Sequence, residues 1–405
     1  MTQLFEMKRI AAIEFCSSVR DGTHDSPRFH ENGYPLITSK NIKGGRLVIE
    51  NANQISEKDF VDINKRSGVE QWDILFTMIG TLGEVYLEKE SEVDYAIKNV
   101  GLFKCGSELK GKWLYYWFKT PLNKKKVLQL RRGASQQYLP LGALRSLQID
   151  FPTDSSFAER AIKFISSYDD LIENNKRRIA LLEESARQLY KEWFVRFRFP
   201  GHEHVKIVDG VPEGWEKSSV ADAVSINPKT PVDKGEEIKY VPMSSLSSSQ
   251  MTVDTSKFEL RSKHTNVKFK SGDTLLARIT PCLENGKTAF VSFLKEEEVA
   301  CGSTEFIILR AKKVSAEYTY LLSRDEHFRG FAIKSMVGSS GRQRVQKSCF
   351  DKFFIAVPPS AIQHQFNEIA SRSFRQIANL EHQVGQLERA RDLLLPRLMS
   401  GELAV

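Results

Sequence analysis

One apolar period, written twice in the chain, constrains the fold more than any other feature. Ile165, Tyr168, Ile172, Asn175, Ile179, Leu182, Ala186, Leu189 and Trp193 follow one another at spacings of three and four. A constant shift of 205 residues lands on Ala370, Ser373, Ile377, Leu380, Val384, Leu387, Arg391, Leu394 and Leu398. Apolar residues fill eight of nine positions in the first set and seven of nine in the second. A heptad sustained over that length is the seam of a coiled coil. Each helix closes one half of the chain. Ser156-Phe157-Ala158-Glu159 and Ser360-Ala361-Ile362-Gln363 have the form of capping boxes at their starts.

The repeat reaches into the halves themselves. Phe5-Glu6 with Ile10-Ala11 matches Trp215-Glu216 with Val220-Ala221, and Trp72-Asp73-Ile74-Leu75 matches Gly272-Asp273-Thr274-Leu275. Gly133-Ala134-Ser135 matches Gly338-Ser339-Ser340. Leu144, Leu147, Ile149, Phe151 and Pro152 match Phe350, Phe353, Ile355, Val357 and Pro358. The drifting offset marks loop insertions between diverged copies. Residues 147–151 and 353–357 read as strands that lead through proline into the long helices.

The linker sets direction. The first helix is expected to end near Phe199, before Pro200-Gly201, and the second half starts by Trp215. About fifteen residues cannot run back along a helix of about 42 residues, roughly 60 Å at its rise per residue. The second helix must therefore return antiparallel to the first. The expected fold is α+β: two β-rich domains separated by two long helices in an antiparallel coiled coil, with a pseudo-twofold repeat. The expected divisions are 1–154, 155–200, 201–359 and 360–405. Asn175 and Arg391 interrupt the seam, either as register devices or, for Arg391, as a side chain reaching solvent. Pro396 is expected to end the second helix near Leu395.

The net charge of +8 over 405 residues matters less than its distribution. Between Glu108 and Asp150 the chain has no acid and nine bases: Lys110, Lys112, Lys119, Lys124, Lys125, Lys126, Arg131, Arg132 and Arg145. Between Glu326 and Asp351 it has Arg329, Lys334, Arg342, Arg344 and Lys347. A solvated face would explain one such stretch. Two at equivalent repeat positions have the footprint of a phosphate-binding surface. Base reading needs planar amides and guanidinium groups. Those cluster beside the shared glycine as Gln136, Gln137 and Tyr138, and as Arg342, Gln343 and Arg344, with Arg278, Lys287 and Lys347 as further candidates. An ordinary surface loop would carry the same composition. Trp113, Tyr115, Tyr116, Trp117 and Phe118 fit the core face of a helix better than a base-stacking platform.

Other chemistry finds little support. Asn227-Pro228-Lys229-Thr230 fails the adenine-methyltransferase pattern at its third residue, and Asn285-Gly286-Lys287-Thr288 reads as a turn rather than a P-loop end. Glu237-Ile238-Lys239 is a short acidic-lysine string of a kind frequent by chance, and His202-Glu203-His204 reads as a solvated turn, not a metal site. The expectation is therefore no catalytic residue, no metal and no cofactor on this chain. Five scattered cysteines, no signal-peptide pattern and no membrane-length apolar run point to the cytoplasm.

Leu189-Tyr190-Lys191-Glu192-Trp193-Phe194-Val195-Arg196-Phe197-Arg198-Phe199-Pro200-Gly201, followed by Asp209-Gly210-Val211-Pro212-Glu213-Gly214-Trp215-Glu216, resembles the central conserved region of type I restriction–modification specificity subunits. Leu393-Leu394-Leu395-Pro396-Arg397-Leu398-Met399-Ser400-Gly401-Glu402-Leu403 resembles their distal conserved region. Residues 21–27 and 33–42 are similar to a common start of their first target-recognition domain. The resemblance implies a subunit that reads a split, asymmetric sequence in double-stranded DNA. It implies assembly with two modification subunits that methylate adenine and with restriction subunits that translocate and cut. S-adenosylmethionine, ATP and Mg²⁺ would sit on those partners. Apolar residues off the seam (Phe164, Leu171, Leu181, Ile369, Phe374, Leu395) are expected to form the partner surface, with Trp193, Phe194 and Leu398 from the conserved ends.

Overall fold

The computed structural model describes residues 5–233, 235–263 and 265–405. The chain forms two compact units, Met1–Leu171 with Gln386–Val405 and Ile172–Gly385. The boundaries fall inside both long helices rather than at their ends. Each β-rich half packs on part of the two long helices, so the first unit is assembled from two separate stretches of sequence and the second from one.

The two units repeat one topology. In the first, Ser18–Asp21, Val100–Lys104, Ile74–Thr77 and Val85–Leu87 form an antiparallel sheet in that order. In the second, Val224–Ile226, Phe306–Ala311, Thr274–Ala277 and Thr288–Phe290 repeat it. A second sheet of Asn53–Ile55, Tyr34–Ile37 and Ala96–Ile97 recurs as Glu259–Arg261, Ile238–Val241 and Val299–Gly302. The later copy adds Val267–Lys270. Met7–Ala11 pairs with Gln148–Pro152, and Glu216–Ser219 with Phe354–Val357. The duplication extends to a turn before the central strand. Asp73 accepts the Glu70 amide and Asp273 the Lys270 amide, both at 2.8 Å. The preceding residue has positive φ in both copies, 71° at Trp72 and 82° at Gly272. Glycine takes that conformation without strain, and tryptophan does not.

The first long helix spans Ser155–Tyr190 and continues as a π-helical turn over Lys191–Val195. The second spans Ser360–Met399. Within the first unit, Arg160 donates to the Val405 carbonyl and Asp169 meets Arg391. Within the second unit, Asn175 donates to Gln383 at 3.2 Å and Trp193 lies against Phe366. In each unit the partner number falls as the first rises, which is the antiparallel sense. Ile165, Ile172, Asn175, Ile179, Ala186 and Trp193 are buried, as are Ala370, Ile377, Leu380, Val384 and Leu398.

Several terminal features differ from the sequence reading. Asp154, not Ser156, caps the first helix, accepting the Ser156 amide at 2.9 Å and the Ser156 hydroxyl. Ser360 is already helical. The Gln363 side chain donates to the Pro358 and Lys313 carbonyls, so no capping box closes there. Pro396 lies inside the last turn and does not end the helix at Leu395. Its missing N–H costs one bond close to the end, and Gly401, at φ 75°, makes the stop. In the linker, Ile207–Val208 and Val211–Pro212 pair across Asp209-Gly210, both at positive φ, a tight hairpin turn.

Arg391 does not reach out to solvent. Its guanidinium bonds Asp169 at 2.7 Å, and Asp169 also accepts the Tyr116 hydroxyl at 2.9 Å. Burial works against the Asp169 charge, but Lys119, Arg391 and Tyr116 outweigh it and hold the carboxyl below its ordinary range. A depressed carboxyl stabilises the fold fully above its unfolded pKa and loses that contribution as pH falls through the folded value. Asp169→Asn should therefore cost on the order of 2 kcal/mol at neutral pH. The gap to wild type should close below about pH 4. Urea melts at both pH values check this; a gap independent of pH would assign the loss to packing instead.

In the second unit, both helices also hold a loop of the β-rich part. Glu183 accepts the Met251 amide at 2.7 Å and Glu381 accepts the Thr252 hydroxyl at 2.6 Å. Burial pushes the Glu183 carboxyl up, against the pull of that amide and of Arg187 and Arg324.

Candidate nucleic-acid interface

Each unit ends its central hairpin in a loop and lays a second loop beside it. In the first unit, the loop after Ile74–Thr77 runs to Glu84, and a helix over Pro121–Leu128 leads into residues 131–138. Arg132 and Tyr138 exchange backbone hydrogen bonds at 2.8 and 2.9 Å, and Leu139 donates to Met78 at 2.9 Å. Tyr138 bridges Ile79 as well. The second unit builds the same arrangement from the helix Glu326–Lys334. Val337 and Arg344 exchange backbone bonds, Val345 donates to Arg278, and Arg344 bridges Ile279. Residues 133–137 and 338–343 thus form two closed tips.

The shared glycine closes both tips. Gly133 has φ 93°, and a Cβ there would lie 2.2 Å from the Gln136 carbonyl oxygen. Gly338 has φ 135°, and its Cβ would lie 3.0 Å from the Arg342 carbonyl oxygen. Gly133→Ala should open the first tip and cut selectivity for one half-site at least ten-fold, an effect comparable to losing a bidentate base contact. The tip is exposed, so its melting temperature should stay within a few degrees of wild type. Binding assays with mixed oligonucleotides and a thermal melt check both parts.

The basic stretches divide into anchored and free residues. Lys110 donates to the Phe15 carbonyl, Lys112 pairs with Glu108, Lys119 with Asp169, and Arg145 donates to the Val19 carbonyl. Lys124 meets Glu84 at 3.3 Å. Among the described residues, Lys125, Lys126, Arg131 and Arg132 are exposed and their side chains have no acid partner, and the same holds for Arg342 and Lys347. The amides of Gln136 and Gln137 are exposed too, and Tyr138 is 41% exposed.

Three sequence candidates take other roles. Arg344 is not a free guanidinium, because Glu305 holds it through bonds of 2.8 to 3.0 Å. That contact keeps the Glu305 carboxyl below its ordinary range. Arg278 donates to the Val345 carbonyl at 3.0 Å and Lys287 to the Met243 carbonyl at 3.1 Å, each bracing a loop. Trp113, Tyr116, Trp117 and Phe118 are core residues of the helix Glu108–Lys119. Asn285-Gly286 forms a turn, with Gly286 at φ 79°. His202–His204 is a 3₁₀ turn, and no cluster of three metal-ligating side chains occurs among the described residues.

Other residues at the site escape sequence reasoning. Thr280 clasps Gln343, giving its amide to the Gln343 carbonyl and accepting the Gln343 amide on its hydroxyl, both at 3.1 Å. In the first unit, Glu84, which meets Lys124, also accepts the Gly44 amide in the turn between Ile42–Lys43 and Arg46–Leu47, where Lys43 and Arg46 are exposed. In the second unit, Arg324 donates to the Ser248, Ser249 and Gly286 carbonyls, and Arg329 to Leu283 and Glu284. Those two guanidiniums line a cleft of about 260 Å³ with Arg187 and Lys191. No local sequence signal separates such braces from free cations.

The proposed partner residues also separate. Trp193, Phe194, Leu395 and Leu398 are at most 6% exposed and belong to the unit cores, as does Phe374. They offer a partner little surface, because their side chains are taken up by the cores of the units. Leu181, by contrast, is 64% exposed, and Leu171 and Ile369 are about half exposed.

The class this defines is a duplicated protein, with one loop pair built twice and exposed cations beside it in both copies. The family model for the type I restriction modification DNA specificity domain matches twice, over residues 15–184 and 212–389, and the chain belongs to that family. Among its relatives is the MjaIX specificity subunit of a type I restriction enzyme from Methanocaldococcus jannaschii. The two are 24% identical over 99% of this chain and 94% of that one. The EcoEI specificity subunit of Escherichia coli is 34% identical over 38% of this chain and 26% of its own. A crystal structure of a type I restriction–modification S subunit from M. genitalium shares the fold, with a TM-score of 0.57 over 97% of this chain and 96% of that one, at 11% identity. No helix among the described residues is long and apolar enough to cross a membrane.

Proposed function

We propose that this chain is the DNA-reading subunit of a type I restriction–modification complex, each β-rich half reading one part of a split, asymmetric site. The observation that carries this is the duplicated tip loop. Free cations and unpartnered amides surround it in both units, and the side chains at the tip differ between them. Phosphate contacts position a protein and base contacts specify. Lys125, Lys126, Arg131, Arg132, Arg342 and Lys347 supply the first kind, and the tips supply the second. The chain itself does no chemistry in this reading. Two modification subunits methylate adenine with S-adenosylmethionine, and restriction subunits use ATP and Mg²⁺.

The test is selection of oligonucleotides by the chain reconstituted with its modification subunit. Two short unlike motifs across an unspecified spacer are expected. Absence of any enriched sequence would leave only an interaction scaffold. Methyl transfer by the rigorously purified chain would overturn the division of labour.

Docking of the modification subunits rests on the exposed apolar residues of the helices. Leu181→Glu should weaken assembly about ten-fold or more while leaving the melting temperature unchanged, since a charge is then buried in the interface. Gel filtration of the mixed subunits reads the first effect, and an unaltered elution profile would count against this docking face.

A further inference from the structure

We infer that Gln137 and Gln343 are equivalent base readers, each addressing the adenine of one A·T pair at the corresponding step of its half-site. The inference rests on the DNA-reading function proposed above and extends it to single residues. Both glutamines immediately precede the residue that closes the tip, Tyr138 in one unit and Arg344 in the other. Both follow the residue whose carbonyl faces the shared glycine, Gln136 and Arg342. The backbone at Gln343 is clasped on both sides by Thr280, and Tyr138 beside Gln137 is tied to Arg132.

The neighbouring tip positions do not share this identity. The preceding residue is glutamine in one copy and arginine in the other. The following residue is tyrosine in one copy; in the other it is an arginine whose guanidinium Glu305 already occupies. Of these three positions only the middle one has the same side chain in both units, and among the described residues neither side-chain amide has a hydrogen-bond partner. A carboxamide offers one acceptor and one donor in a plane. That pattern matches N6 and N7 of adenine in the major groove and no other base edge as well. A fixed backbone with a free planar amide is what such a contact needs. The unlike preceding residues, Gln136 and Arg342, then supply part of the difference between the half-sites.

The experiment compares wild type, Gln137→Ala, Gln343→Ala and Gln343→Glu, each reconstituted with the modification subunit and presented with a randomised duplex library. Each alanine variant should lose roughly ten-fold or more of the discrimination at one A·T pair. The loss should fall in one half-site for Gln137→Ala and in the other for Gln343→Ala. Gln343→Glu should shift the preference at that pair toward cytosine, whose exocyclic amine donates. Unchanged base profiles, a uniform loss of affinity without change in preference, or a loss centred on a G·C pair would each overturn the inference while leaving the DNA-reading function intact. A wild-type complex that enriches no sequence would overturn both.

Discussion

Phe194→Ala is expected to destabilise the second unit by about 3–5 kcal/mol, the cost of emptying a large aromatic site in a packed core. Phe194 is 6% exposed, and its ring centroid lies 4.7 Å from Phe366, 4.8 Å from Tyr318 and 6.0 Å from Trp215. Those rings come from the second helix, from the helix Ala316–Arg324 and from the start of the β-rich part. One side chain therefore joins three elements of the unit. The surrounding rings are packed against one another and relax only in part, so a cavity term adds to the lost transfer energy. In a unit of this size the loss should lower the Tm by about 10 °C or more. Thermal unfolding of the purified chain measures it. A variant that melts like wild type yet fails to bind modification subunits would return Phe194 to the partner surface. The pairing of this result with Leu181→Glu separates folding from docking along one helix.

The contrast between those residues shows what the sequence could convey. The seam was legible because helical periodicity is a local property, and Ile165 through Leu398 kept their phase. The strands 148–152 and 354–357 were legible through their position before proline and a long helix. The tips show in the sequence as composition, by glycine, glutamine and arginine at equivalent places. Whether a cation is free was not legible. Arg344 differs from Arg342 only through Glu305, thirty-nine residues away in the chain. Lys119 differs from Lys125 through Asp169. The resemblance of the conserved ends points to Trp193 and Phe194 as partner residues, whereas Trp193 holds its seam position against Phe366 and Phe194 is buried beside it. The cap at Asp154 is not legible either, since serine and aspartate compete for one role and only geometry decides.

Changing the spacer between half-sites by a single base pair is expected to cut affinity at least a hundred-fold. Each long helix begins in one unit and ends in the other. A packed helix pair keeps its length, because stretching it would break the backbone ladder and the seam together. Adding one base pair moves a half-site about 3.4 Å along the duplex and turns it by roughly 35°, given about 34–36 Å and 10–10.5 base pairs per turn. The rotation matters more than the translation. It carries the base edges away from a tip whose backbone is fixed, and the bidentate contacts, each worth about 1–3 kcal/mol, fail together. Phosphate contacts survive in part, so the residue of binding should be non-specific and steeply salt-dependent. Inserting four residues into both helices in register, near Ile179 and Val384, adds roughly 6 Å by helix rise. It also rotates each unit, so the preferred spacer should change or binding should vanish, with the half-site sequences unaltered. Binding measured over duplexes whose spacer grows one base pair at a time tests the rule. An equal affinity across that series would mean that the helices set no distance, and that the two halves find their sites independently.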